Sequence, residues 1–188
     1  IFGLSKLDAK GEVASYEGAL QDVTEQERQR RLFAVQSQIN EAIVRTESHQ
    51  DLFAQACRIA VETGQFLRAS VAGVDLESGA IHLIAQAGLE DGYQAAIFKG
   101  LNIHGSDAPL PLALRESRYV VSNDPATDPV LAPWHDFART HGILALAVVP
   151  IVVNGRSVAA MVFTTEQPHY FQEDENQLLQ SIGKNLSY

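Results

Sequence analysis

The first residues of the chain alternate between apolar and polar positions in two runs. Over residues 1–21 the alternation has the period of β-strands, and Asp8-Ala9-Lys10-Gly11 supplies turn chemistry between the runs. This pattern predicts a β-hairpin. Two strands alone are only marginally stable in water, so we expect the hairpin to need a partner surface.

A long helix is predicted from about residue 24, because Asp22 or Thr24 can cap it and acidic residues follow in its first turn. Its apolar positions recur every three or four residues, as they do in a last helix predicted from about residue 173. We therefore predict a homodimer seam along the two terminal helices, at Leu32, Val35, Ile39, Ala42, Leu179, Ile182 and Leu186. The alternative is that these stripes pack on their own domain, and both can hold on different turns.

Between these helices the pattern changes repeatedly from a helical to a strand period. Ser48 can cap a second helix, and Asn154-Gly155 between two apolar runs is the strongest short hairpin signal. The predicted elements are helices over 50–63, 93–99, 110–116 and from Pro129, and strands over 69–75, 80–87, 119–122, 143–153 and 157–165. This order predicts an α+β fold, with helices on one face of an antiparallel sheet and a subdomain of loops and short helices over the other.

Several segments of the sequence resemble the GAF domain family in its bacterial sensory form. The most specific is LALRESRYVVSND at 112–124, followed by PATDPVLAPW at 125–134. The apolar strand ending Val149-Pro150 and the segment PHYFQEDE at 168–175 continue the likeness, which covers about residues 37–188. The resemblance implies a six-stranded antiparallel sheet with a small-molecule pocket between the sheet and the middle loops.

The start of the chain resembles the end of a PAS domain. The segment GEVASYEG at 11–18, followed by QDVTE at 21–25, is similar to the last PAS strand and its exit into a signalling helix. Both chain ends look cut, as in a piece of a larger protein. We therefore expect three parts: a PAS C-terminal hairpin remnant at 1–23, a connecting signalling helix at 24–47, and a GAF domain at 48–188 whose first helix overlaps the connector.

The resemblance implies a sensory or regulatory domain of a bacterial signal-transduction protein. Such a domain senses a small ligand, or relays a signal through its terminal helices, to an effector in the same full-length chain. The expected effectors are a diguanylate cyclase, a cyclic di-GMP phosphodiesterase or a histidine kinase. The alternative is a dimerisation and relay module with no ligand.

Charge and composition exclude several partners and compartments. The net charge is -9 and no basic block is present, which argues against nucleic-acid binding. The longest apolar run, 143–153, is broken by Pro150 and is shorter than the roughly 20 residues that span a bilayer, so we expect no membrane insertion. The single cysteine forms no internal disulfide, which favours a reducing compartment and predicts a cytoplasmic protein.

Candidate chemistry is sparse. Cys57 falls too early in the chain for covalent bilin attachment, and one cysteine cannot run the dithiol cycle of GAF-type methionine sulfoxide reductases, so we expect no enzyme activity. No Cys/His cluster has zinc spacing. A haem sensor is a less favoured alternative: His104, His135 or His141 could be an axial ligand, but helix-end or surface roles explain them better. No cofactor is required.

The predicted pocket combines aromatic side chains with a few polar ones, which suits a small organic ligand. The candidate residues, taken from elements that the resemblance places over the sheet, are Tyr93, Ile97, Phe98, Leu101, His104, Asp124, Trp134 and Phe137. The alternative is that the aromatic residues fill a closed subdomain core. Both faces of the strand over 143–153 are apolar, so the sequence leaves open which face lines the pocket.

Overall fold

The computed structural model describes the chain except for residues 1, 8–12, 20–23, 89–97, 99 and 188. The chain divides into two compact units, Ile1–Arg30 and Arg31–Tyr188. The first unit contains β1 (Phe2–Leu7) and β2 (Val13–Ala19), which pair antiparallel and confirm the predicted hairpin. The turn predicted at 8–11 lies outside the described residues. The attribution of this hairpin to a PAS domain stays a prediction.

The second unit carries the sheet domain. A long helix, α1, runs across the boundary between the units and ends at Arg45. The described elements after the hairpin are α1 (Thr24–Arg45), α2 (His49–Glu62), β3 (Arg68–Val74), β4 (Ile81–Ala87), α3 (Pro109–Glu116), β5 (Val120–Ser122), a 3-10 helix (Pro129–Trp134), α4 (His135–Thr140), β6 (Ala145–Val153), β7 (Arg156–Thr165) and α5 (Glu173–Asn185). The short helix predicted over 93–99 falls on residues that are, except for Phe98, outside the described part.

The sheet has the strand order β4-β3-β7-β6-β5, and every neighbouring pair is antiparallel. The β6–β7 hairpin predicted from Asn154-Gly155 is confirmed. Both turn residues have positive φ, 52° and 77°, as a tight two-residue hairpin turn requires. Strand β7 is central, so this hairpin forms the middle of the sheet.

The sheet has five strands among the described residues, and the expectation of six is corrected. Outside the named strands, the described residues form one isolated bridge, between Ala80 and Asn102. The amide of Ile103 donates to the Gly79 carbonyl at 3.0 Å, and the chain then turns through 103–105, which ends the pairing after one residue pair.

One face of the sheet is closed by helices, as predicted. Alternate strand residues point to opposite faces, and Val71, Val149, Met161 and Phe163 are at most 1% exposed beneath α1, α2 and α5. Gly183 lets α5 approach β6, because a Cβ there would lie 2.3 Å from Cγ1 of Val149. This face therefore forms the main core of the domain.

The seven predicted seam residues lie in that core. They are 0–6% exposed and belong to the same apolar cluster as the sheet residues. The apolar stripes of the two terminal helices therefore pack against their own domain, as the alternative interpretation of the sequence expected. Polar contacts hold the two helices together: Gln36 donates to Ser181, and Asn185 donates to Asn40, both at 2.7 Å. The homodimer stays a prediction.

Candidate ligand-binding site

A cavity of about 140 Å³ lies on the face of the sheet opposite α1, α2 and α5. Its floor is formed by alternate residues of β3, β7 and β6, which the strand register places in two adjacent rows. The first row is Arg68, Thr164 and Leu146. The second row is Ser70, Val162 and Val148. The register thus shows which face of the apolar strand predicted at 143–153 lines the cavity. Leu146 and Val148 of β6 face the cavity, and Ala145, Ala147, Val149 and Ile151 belong to the helix-side core.

The walls of the cavity come from the elements between β4 and β6. They are almost wholly apolar: Phe98, Leu101, Ala108, Pro109, Leu110, Pro111, Pro125, Leu131, Trp134, Phe137, Ala138 and Ile143. Rings and proline side chains have few rotatable bonds, so these walls lose little conformational freedom when they pack on a ligand.

Local hydrogen bonds hold the aromatic wall in place. The Asp128 carboxylate caps the 3-10 helix by accepting from the amide of Val130 at 3.1 Å. Nε2 of His135 lies 2.7 Å from the Asp128 carbonyl. The rings of Trp134 and Phe137 then meet edge to face, with centroids 6.4 Å apart at 88°.

Hydrogen bonds of Arg115 stabilise another part of the cavity wall. Its Nη1 donates to the carbonyl of Ile103 at 2.8 Å, and its Nη2 donates to the carboxylate of Asp107. These bonds join the loop after Leu101 to α3, whose first turn contains Pro109 and Pro111. The loop and the helix therefore form one continuous wall.

Three polar side chains break the apolar lining, and all come from the sheet. Arg68 is 8% exposed, and its Nη2 donates to the carbonyl of His141 at 3.3 Å. Ser70 is 2% exposed and lies two residues along β3 on the same face. The Thr164 hydroxyl is buried and has no hydrogen-bond partner among the described residues. The polar part of the lining therefore lies on the sheet, at β3 and β7.

The structure brings together half of the predicted pocket residues. Phe98, Leu101, Trp134 and Phe137 line the cavity, while Tyr93 and Ile97 lie outside the described residues. Their role in binding stays a prediction.

The structure does not bring His104 and Asp124 to the cavity, and each has a local reason. The amide of His104 donates to the Asn102 side chain in an exposed turn, and its ring faces outward. The carboxylate of Asp124 accepts from the Thr127 hydroxyl in another exposed turn. Both side chains therefore serve the loops that carry the walls.

Sequence reasoning missed the polar part of the lining. The predicted residues all came from the middle segment, whereas Arg68, Ser70 and Thr164 belong to strands. A signal was present in β3, where Arg68 and Ser70 are polar residues at alternate positions of a strand that is otherwise apolar. Polar side chains on the same face of two fully covered strands indicate a site or a structural hydrogen bond.

Cys57 lies on the other side of the sheet from the cavity. It belongs to α2 and is fully buried in the helix-side core. Burial raises the pKa of the Cys57 thiol to about 12, so its thiolate is scarce near neutral pH. Any chemistry in the cavity would have to use other groups.

The histidines near the cavity make backbone contacts. His141 Nδ1 lies 2.9 Å from the carbonyl of Phe137, and the two rings stack with centroids 4.5 Å apart. No three His, Cys, Asp or Glu side chains cluster for a metal ion in the described part of the chain. A haem or another cofactor stays untested.

The chain thus contains an α+β domain, with helices on one face of an antiparallel sheet and a loop-walled cavity on the other. A model of the GAF domain family matches residues 46–187, so the chain belongs to the GAF domain family. No curated protein matches the sequence.

Solved structures share this fold at low sequence identity. The free methionine-R-sulfoxide reductase of Neisseria meningitidis, in complex with its substrate, is 17% identical, with a TM-score of 0.70 over 91% of this chain and 92% of that one. The GAF domain of an Acinetobacter phosphoenolpyruvate-protein phosphotransferase is 15% identical, with a TM-score of 0.66 over 83% and 90%. The phycoerythrobilin-bound GAF domain of a cyanobacterial phytochrome is 17% identical, with a TM-score of 0.63 over 84% and 93%.

The expectation of no enzyme activity is corrected by these comparisons. Structures similar to this chain include free methionine-R-sulfoxide reductases, which are enzymes with the GAF fold. The single cysteine rules out one dithiol mechanism, but it says nothing about chemistry that uses other side chains. Enzyme activity is therefore compatible with this fold.

In the described part of the chain, no helix combines the length and the apolar character needed to cross a lipid bilayer.

Proposed function

We propose that this chain is the small-ligand sensor of a signalling protein, and that occupancy of the cavity changes the contacts of the last helix. The observation that carries the proposal is the position of the cavity. It lies between the sheet and walls formed by loops and short helices, so a ligand in it would contact both. Binding would shift the domain toward the wall conformation that fits the ligand.

A pair of hydrogen bonds links the cavity wall to α5. Pro125 lines the cavity, and Asn123 lies two residues before it. The Asn123 side chain donates to the Phe171 carbonyl at 3.0 Å and accepts from the Phe171 amide at 3.1 Å. Phe171 is buried in the helix-side core just before α5 begins at Glu173. Movement of the wall would therefore reach the start of α5 through two bonds to one residue.

The terminal helices are the proposed output. They are joined by the Gln36–Ser181 and Asn40–Asn185 hydrogen bonds, so displacement of α5 would change its contact with α1. The proposed effectors, in the same full-length chain, are a diguanylate cyclase, a cyclic di-GMP phosphodiesterase or a histidine kinase. The PAS origin of the hairpin and the cytoplasmic location belong to this proposal as predictions.

The test follows one probe with two readouts. Toluene serves as the probe because it is apolar and has a single ring, and Trp134, the only tryptophan of the chain, reports its binding by fluorescence. Amide hydrogen exchange over residues 171–185 reports the response of α5. We expect toluene to change both signals, and Asn123→Ala to keep the fluorescence change while losing the exchange change.

Asn185→Ala is the matched control. It removes a hydrogen bond between α5 and α1 without touching the cavity wall, so the exchange response near Phe171 should survive. Binding of toluene to the native protein with no change in α5 exchange would contradict the proposed relay.

A relay module without a ligand is the second candidate. Phe33 and Val44 favour it, because these α1 side chains are 63% and 86% exposed. Exposed apolar residues on one helix suit contact with another helix, and a homodimer through the terminal helices fits either function. Loss of a dimer in Phe33→Glu by light scattering, together with a native protein that binds no small ring, would favour this candidate.

A further inference from the structure

The described lining of the cavity offers a ligand no free charge. Arg68 is the one charged side chain in it, and the protein itself engages this side chain. Its Nη2 donates to the His141 carbonyl at 3.3 Å, and Arg68 has a further interaction within the chain. No Asp or Glu is among the described residues that line the cavity. An anion would therefore have to displace contacts that Arg68 already makes, and a cation would lie unpaired against apolar walls, which is costly.

The two hydroxyl side chains of the lining present little polar surface. The hydroxyl oxygen of Thr164 is buried, and Ser70 as a whole is 2% exposed. The surface that the described residues expose to the cavity is accordingly almost all apolar. A polar group of a ligand would lose its hydrogen bonds to water on entry and would find few to replace them, which weakens binding.

We propose that the ligand is an uncharged, apolar molecule about the size of one ring, held by apolar contact rather than by an ion pair or a hydrogen bond. The inference rests on the proposed function and names the chemical class of its ligand. Arg68 has a structural part instead, because its bond to the His141 carbonyl ties β3 to the end of α4.

The volume of the cavity sets the size of this ligand. A cavity of about 140 Å³ compares with the roughly 150 Å³ of an engineered apolar cavity in another protein that binds benzene. Trp134, Leu131, Val148 and Val162 would surround such a ring. Nucleotides, which are larger and charged, therefore fit poorly.

The experiment compares three ligands that share one ring. Toluene and phenol have nearly the same shape and differ in a methyl group against a hydroxyl, and benzoate adds a charge. Each is titrated against the native protein, with Trp134 fluorescence excited beyond the absorption of the three ligands. We expect toluene to bind about tenfold or more tightly than phenol, because the phenol hydroxyl would be buried unpaired. Benzoate should not bind at millimolar concentration.

A pair of matched variants of β7 places this preference in the cavity. Val162→Thr adds a hydroxyl to the floor while keeping a β-branched side chain, and should reduce the preference for toluene over phenol by about fivefold. Val158→Thr is the control, because the same substitution on the same strand falls on a residue that packs against the helix-side core and does not line the cavity. It should leave both affinities unchanged.

A third variant keeps the proposal falsifiable if Val162→Thr fails to fold. Thr164→Val preserves the shape of the side chain and removes the buried hydroxyl. The affinities for toluene and phenol should both stay within about twofold of the native values, because neither ligand bonds to this hydroxyl. A fivefold loss of phenol affinity alone would show that the hydroxyl serves a polar ligand.

Three further results would overturn the proposal. Phenol or benzoate could bind the native protein as tightly as toluene, Val162→Thr could fold and keep the full preference for toluene, or none of the three ligands could bind at millimolar concentration. If phenol or benzoate binds as tightly as toluene and α5 responds to it, the sensor function stands and the apolar class alone fails. If toluene binds with the expected preference and α5 does not respond, the ligand class stands and the relay fails.

Discussion

The two faces of the sheet are built from the same strands but are packed for different purposes. On the helix face, Met161 and Phe163 are fully buried among the side chains of three helices. On the cavity face, their neighbours Val162 and Thr164 border a cavity. Because alternate residues of one strand serve the two faces, stability and ligand binding can be changed almost independently. One face holds the fold together, and the other leaves room for a ligand.

The largest expected effect comes from truncating neighbouring residues of β7. Phe163→Ala removes a fully buried ring that packs on Phe66 with centroids 5.0 Å apart, and should cost about 3–5 kcal/mol of unfolding free energy. Val162→Ala on the cavity face should cost only about 1 kcal/mol, because its side chain already borders space. Urea unfolding of both variants measures the difference. Equal losses would show that the two faces are packed alike.

Enlarging an alanine on each face should separate stability from binding. Ala159→Leu overfills the helix-side core and should destabilise the protein by about 1–3 kcal/mol. Ala138→Leu fills part of the cavity and should change stability by less than about 1 kcal/mol while weakening toluene binding. Unfolding curves and Trp134 fluorescence measure the two effects. Normal toluene binding by Ala138→Leu would place the ligand elsewhere.

The buried thiol gives a smaller effect that depends on pH. The pKa of Cys57 is raised to about 12 by burial, so the folded state keeps its proton where the unfolded state has lost it. The contribution of this thiol to stability is complete below pH about 8.5, the usual thiol pKa, and is lost as the pH rises toward 12.

Between pH 8.5 and 10 the native protein should therefore lose roughly 1–2 kcal/mol more than a Cys57→Ala variant does. Urea unfolding at several pH values compares the two slopes. The variant is the matched control because every other titrating group is shared. Parallel slopes would mean that the thiol is accessible to water and to base.

The sequence predicted those parts of the fold that depend on local chemistry. The β6–β7 hairpin followed from Asn154-Gly155, and the start of α2 followed from the capping residue Ser48, whose hydroxyl accepts from the Asp51 amide. The sixth strand could not be judged in this way. It was implied by the family resemblance alone, and in the described residues the segment around Asn102 makes a single bridge before the turn at 103–105.

The site was harder to predict, because its aromatic residues come from one segment of the chain whereas its polar residues come from two separate strands. Trp134 and Phe137 were recognisable as aromatic residues in the segment that covers the sheet. Arg68 and Thr164 are far apart in sequence, and only the β3–β7 register makes them neighbours. The apolar stripe of α1 was visible in the sequence, but its partner was not, because the same spacing fits a partner helix or the domain's own sheet. Tertiary packing places it on the sheet.

Diffraction from crystals under xenon pressure would test the central difference between the two faces most directly. Xenon enters apolar cavities and needs no specific contact. The account predicts one main xenon site between Trp134, Val148 and Val162, and none among the helix-side residues of α1, α2 and α5. Xenon in the helix-side core, or an empty space beside Trp134, would contradict it.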